Sequence, residues 1–159
     1  MRYRLKKYLI ASSVFLLFAG CKESPKEWQF EEIIQLNEIK PLGIVVNEGQ
    51  MWLTDVDNNR IVKTDMHGNL MKSYPGLRRP MHIALSEGKY YIPEFLGDMI
   101  TILEGGHFEP LVLNINLDAP AGIDIKDDIK AIVDFYNHRL ILINDGQTTI
   151  IGKRVGNQC

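Results

Sequence analysis

The sequence has no apolar run of the roughly 20 residues that a membrane-spanning helix takes. After residue 21 it also lacks any apolar stripe of helical period with end caps, which excludes a helical bundle or helical repeat. Cysteine is scarce, with two in 159 residues, so at most one disulfide is possible, and Cys21 is given another role below. No charge dominates: 18 basic residues stand against 20 acidic ones. No basic stripe alternates with aromatic residues, so nothing points to nucleic acid. Gly-x-Ser-x-Gly, Walker and Rossmann fingerprints are missing, which removes the nucleophile-elbow, P-loop and dinucleotide classes.

What is present begins with a leader. Arg2, Arg4, Lys6 and Lys7 make a positive start, residues 8–18 form an apolar stretch of about a dozen residues, and Phe18-Ala19-Gly20-Cys21 closes it. A stretch this short suits a signal peptide over residues 1–20. Its last four residues resemble the lipobox of bacterial lipoproteins. That resemblance implies a diacylglycerol-modified Cys21 as the first mature residue, with several acyl chains for stable anchoring. Residues 21–27, polar around Pro25, read as a solvated tether. Lys22 after the cysteine is not Asp, which by analogy with enteric bacteria favours the outer membrane, facing the periplasm or the cell surface, over the outer leaflet of the cytoplasmic membrane.

The rest of the chain repeats itself. Pro41, Pro80 and Pro120 stand 39 and 40 residues apart, and so do Asp55, Glu94 and Asp134. Arg60 and Arg139 keep the same register. A period near 40 filled with apolar runs of about four to six residues, broken by Gly, Asn and Asp, marks a propeller blade. Each unit predicts four strands. An inner one follows the Pro, a second ends at the acid, a third starts near Arg60, Met99 or Arg139, and a fourth lies beyond a Gly turn. The units run 41–79, 80–119 and 120–159, the last including the start of a linker. Residues 28–40 read as a fourth strand without a blade of its own, of the kind that closes a ring.

The residues Pro41-Leu42-Gly43-Ile44, then Asp55, then Asn58-Asn59-Arg60-Ile61 resemble the NHL repeat of six-bladed β-propellers. Asp134-Phe135-Tyr136-Asn137-His138-Arg139-Leu140 matches well, whereas the middle unit departs with His82 for Gly, Glu94 for Asp and Met99 for Arg. The fold class expected is therefore all-β, an NHL-type propeller of about three blades. About 138 residues follow Cys21, whereas a closed propeller needs roughly four to eight blades. The sequence thus reads as part of a longer chain forming a monomeric ring. The alternative is a half-propeller that closes as a dimer.

Candidate residues follow from this frame. Asp55, Glu94 and Asp134, one per unit, read as structural acids that accept backbone N–H groups in Asn-rich turns, and Arg60 and Arg139 as their partners. Acids converging on a Ca²⁺ are the functional alternative. His82 breaks the repeat where the family has Gly on the inner strand. With Asp124 it is the candidate for a ligand or channel site. Related six-bladed lyases and hydrolases use channel His and acids with a metal, but two candidates fall short of the three or more ligands a metal wants. Phe95 and Tyr136, just after the acids, are candidates for partner contact, while Trp52, Tyr90 and Tyr91 read as packing between blades. The function expected is a lipid-anchored extracytoplasmic module that binds a protein, peptide or glycan, without nucleic acid, resident cofactor or catalytic residue. The alternative is a Ca- or Zn-dependent lyase or lactonase-like hydrolase working in the channel.

Overall fold

Short β-forming runs separated by two- and four-residue turns cannot bury themselves singly, so they pair into hairpins and the hairpins into sheets. The computed structural model describes residues 28–152, and Cys21, the leader and the tether lie outside them. Twelve strands follow one another: β1 (Pro41–Asn47), β2 (Gln50–Asp55), β3 (Arg60–Asp65), β4 (Leu70–Pro75), β5 (Ala84–Ser86), β6 (Lys89–Glu94), β7 (Met99–Glu104), β8 (His107–Pro110), β9 (Pro120–Lys126), β10 (Ile129–Asp134), β11 (Arg139–Asn144) and β12 (Gln147–Gly152). They form three antiparallel four-stranded sheets, each in sequence order, and no helix occurs among the described residues. The expected all-β propeller architecture is what the chain adopts.

Turn chemistry sets the registers. Glu48-Gly49 joins Asn47 to Gln50, and both turn residues have positive φ. Glu87-Gly88, Gly105-Gly106 and Asp145-Gly146 repeat this pattern. Two consecutive left-handed residues match the twist of the strands they join.

Alternation along the strands gives each sheet two apolar faces. Trp52 and Ile61 of sheet 1 (β1–β4) pack with Leu77, Ile83, Tyr90, Ile92 and Leu103 of the next repeat. Tyr91 and Ile100 of sheet 2 (β5–β8) pack with Leu117, Ile123, Ile132 and Ile141, so sheet 3 (β9–β12) stacks on sheet 2 in the same way. Inner segments approach closely. A β-carbon on Gly43 would lie 2.9 Å from the Cα of His82, so only glycine admits this contact. The Thr54 hydroxyl sits at the same point, accepting the Gly43 N–H at 2.7 Å and donating to the Met81 carbonyl at 3.2 Å.

Two segments differ from the sequence reading. The inner strand expected from Pro80 is cut to β5, three residues long. Before it stand only an isolated Pro80–Glu94 bridge and a bond from the Met81 N–H to Pro93. Pro80 has no N–H to give, and the Met81 carbonyl is turned to Thr54 of sheet 1. Residues 28–40, expected as a closing strand, form no strand. From Ile33 onward they lie on sheet 1, where Ile34, Leu36 and Ile39 pack on Met51, Leu53 and Val62. A strand needs a free edge with unpaired backbone groups, and this segment covers a face instead.

Candidate functional site

The strongest polar constellations sit where β2, β6 and β10 end. Asp55 is fully buried. Its carboxylate accepts from the Lys40 N–H at 3.0 Å, from the Asn58 amide at 2.9 and 3.0 Å, and from Arg60 Nε at 2.7 Å. Asp134 repeats this with the Asp118 N–H at 2.7 Å, Asn137 at 2.9 Å and Arg139 Nε at 2.6 Å. Each acid therefore ties its own turn to the segment arriving from the previous repeat. Both arginines also reach that segment, at the carbonyls of Glu38 and Asn116. Glu94 has no arginine; it accepts from the Arg78 N–H at 2.6 Å and from the Thr101 hydroxyl. Burial pushes the Asp55 carboxyl up, but the bonds from Lys40, Asn58 and Arg60 outweigh it and hold it below the usual aspartate range. Asp55 thus accepts four hydrogen bonds, Asp134 three and Glu94 two, and all three acids are buried, so their place is inside the blades.

His82 and Asp124 are both exposed. His82 stands on the inner segment of sheet 2 beside Gly43, and Asp124 on β9 opposite Ala131. Among the described residues no three of His, Cys, Asp and Glu come together in a way that would hold a metal ion.

The turns after β6 and β10 bring together a different group. Phe95 lies 5.4 Å from Tyr136 and 6.0 Å from Phe135, centroid to centroid, and Phe135 and Tyr136 are 5.4 Å apart. Tilted and edge-on geometries at these distances are the favourable ones for aromatic pairs. The Arg79 guanidinium sits 5.2 Å from the Phe95 ring, and Arg78 precedes it. Neither arginine forms a salt bridge among the described residues. The backbone holds the cluster in place: the Phe95 and Leu96 N–H groups donate to the carbonyls of Arg79 and Arg78, and Tyr136 N–H to Asp118. Phe135, Tyr136 and Leu96 remain half exposed, at 50, 57 and 54 %.

Sequence reasoning singled out Phe95 and Tyr136 here and missed Phe135, Leu96 and Arg79. A signal existed, since Phe135 directly follows the repeat acid and Arg78-Arg79 directly precedes the repeat proline. Their convergence depends on sheet stacking, which no local window shows. Trp52 and Tyr90, by contrast, are buried and stacked at 4.1 Å between sheets 1 and 2.

No family model matches the sequence, and no curated protein matches it. Solved structures do resemble the fold. Virginiamycin B lyase from Staphylococcus aureus aligns with a TM-score of 0.60 at 22% identity, covering 74% of this chain and 42% of the lyase. The computationally designed Ika4 protein aligns at 0.57 and 11% identity, covering 79% of this chain and 81% of its own. A chain of the nidogen/laminin complex aligns at 0.57 and 15% identity, over 71% of this chain and 47% of that one. The chain thus spans less than half the length of the lyases it resembles, and what the likeness establishes is a β-propeller fold.

Proposed function

We propose that the chain is a lipid-anchored binding module of the cell envelope, built from NHL-type blades. It holds a protein, peptide or glycan partner on the end of the propeller that carries the turns after β6 and β10. The observation behind this reading is the aromatic trio Phe95, Phe135 and Tyr136, the last two half exposed, with two arginines lacking acid partners among the described residues alongside. Aromatic residues and arginine are the side chains that dominate interface energetics, because they present much apolar area and a directional polar end. Rings pinned by backbone hydrogen bonds lose little further entropy on binding.

The test is capture of partners from envelope extracts and glycan arrays by the wild-type chain and by Phe135→Ala/Tyr136→Ala. Each truncated hot-spot ring costs about 2 kcal/mol, so the double variant should bind at least about tenfold more weakly. Its unfolding midpoint should not move, since both rings are half exposed. A ligand held equally well by the double variant would remove this surface from the function.

Anchoring is expected through Cys21. Labelled palmitate should enter the wild-type protein, and Cys21→Ser should lose both the label and the membrane association. Retention of Cys21→Ser in the washed membrane fraction would refute the anchor. The enzyme reading would need further metal or proton-transfer groups beside His82 and Asp124, and among the described residues no three of His, Cys, Asp and Glu converge to hold a metal ion.

A further inference from the structure

The middle repeat lacks the cation that the other two give their acid. Arg60 stands opposite Asp55 on β2 and β3, and Arg139 opposite Asp134 on β10 and β11. At the same register Met99 stands opposite Glu94. Each arginine donates its Nε to the acid and a terminal nitrogen to a linker carbonyl, Glu38 in repeat 1 and Asn116 in repeat 3. That carbonyl lies two residues before the N–H that the acid accepts, Lys40 or Asp118. The turn asparagine is lost too, because Gly97 stands where Asn58 and Asn137 bond their acids. Glu94 is nevertheless only 4 % exposed, and it forms no salt bridge among the described residues. Its carboxylate accepts from the Arg78 N–H and the Thr101 hydroxyl alone. A carboxylate taken out of water without a counter-charge is costly, so this one has affinity to spare for a cation.

Beside Glu94 lies a recess of about 150 Å³, open to solvent and lined by Gly76, Met99, Thr101, Phe108 and Glu109 among others. Gly76 precedes Arg78 by two residues, so its backbone is the counterpart of Glu38 and Asn116. The recess thus coincides with the place that a guanidinium takes in repeats 1 and 3. It belongs to the middle repeat, with sheets 1 and 3 stacked on either side. We propose that this recess binds a guanidinium group carried by a ligand, with the Glu94 carboxylate as its acceptor. The flat fork of donors matches a carboxylate, and a guanidinium sheds water more readily than an ammonium does. A cavity of about 150 Å³ accepts a benzene ring, which is larger than this head group. Met99 and Phe108 give the stem apolar walls, exposed Glu109 adds a second negative charge, and no basic side chain lines the recess.

The backbone amide signal of Thr101, followed by NMR on the full chain in mild detergent, tests this. Ethylguanidine should move it with a Kd of about 1 mM, within reach of a ligand this small. Ethylammonium should bind at least about tenfold more weakly, because it lacks the fork. Glu94→Gln keeps the shape and removes the charge, and it should weaken ethylguanidine at least about tenfold. In Met99→Arg the chain supplies its own guanidinium, so binding should fall as far and the urea midpoint should rise. Met99 is 36 % exposed, and glutamine still accepts from the Arg78 N–H, so both variants should keep the wild-type circular dichroism spectrum. Acetyl-Gly-Arg-Gly-amide distinguishes the sources. Binding as tight as that of ethylguanidine assigns the site to an arginine of a partner polypeptide, and exclusion of the peptide assigns it to small free guanidines. Phe135→Ala/Tyr136→Ala should leave ethylguanidine binding unchanged, so this site and the aromatic surface stand or fall separately. A Thr101 signal unmoved at tens of millimolar ethylguanidine, or moved equally by ethylammonium, would overturn the proposal. So would wild-type affinity in either Glu94→Gln or Met99→Arg.

Discussion

Asp55→Ala is expected to destabilise the chain by about 3–5 kcal/mol, the cost of breaking a buried, hydrogen-bonded ion pair by removing one partner. The carboxylate is fully buried and accepts four hydrogen bonds from three donor groups, the Lys40 N–H, the Asn58 amide and Arg60 Nε. Its loss leaves the Lys40 N–H and the Arg60 guanidinium without their acceptor, and frees the segment carrying Ile39 from the start of sheet 1. Glu94→Gln is the contrasting case. An amide oxygen still accepts from the Arg78 N–H and no arginine is orphaned, so the loss should stay near 1 kcal/mol. Urea unfolding of both variants checks the ranking, and equal losses would show that the arginine pairing contributes little.

The same residue carries a pH signature. The folded-state pKa of Asp55 is lowered, so its contribution is fully present above the unfolded-chain value of about 3.9 and is lost as pH falls through the folded value. The stability gap between wild type and Asp55→Ala should therefore be constant from neutral pH down to about 5 and shrink below about 4. A gap that stayed constant to pH 2 would contradict the assigned role.

Trp52→Ala should cost about 3–5 kcal/mol, the range for emptying a large aromatic from a core. The ring is stacked between Tyr74 at 5.6 Å and Tyr90 at 4.1 Å, in the apolar layer joining sheets 1 and 2. Sheet 3 has Ala131 in this register on its open face, so removing that side chain has no comparable effect there. Trp52→Phe tests the source of the cost. The Trp52 Nε1–H has no acceptor among the described residues, so phenylalanine keeps the stack and removes an unsatisfied donor. It should lose less than half as much as alanine. A phenylalanine variant as unstable as alanine would mean that shape, and not burial, governs the layer.

Much of the fold was legible because its signals are local and repeated. Strand ends fall on Asp55, Glu94 and Asp134 and strand starts on Arg60, Met99 and Arg139, because the turns between them need residues that tolerate positive φ or accept backbone bonds. Asn59, Asp98 and His138 take that conformation at equivalent places. Where one repeat contacts the next, the legibility ended. The shortened β5 follows from a carbonyl turned toward a hydroxyl in another sheet, and the course of residues 33–40 follows from which apolar face was left open.

By itself the sequence determined where most strands begin and end and the division into three four-stranded units, since alternation and turn chemistry act over a few residues. Only the tertiary structure decided what stands on the surface. Stacking buries Trp52 and Tyr90, leaves Ile44 and Val133 open while covering their counterparts, and gathers Phe95, Phe135, Tyr136 and Arg79 from three separate segments into one patch. Exposure is a property of neighbours, and in a repeat fold those neighbours lie about 40 residues away.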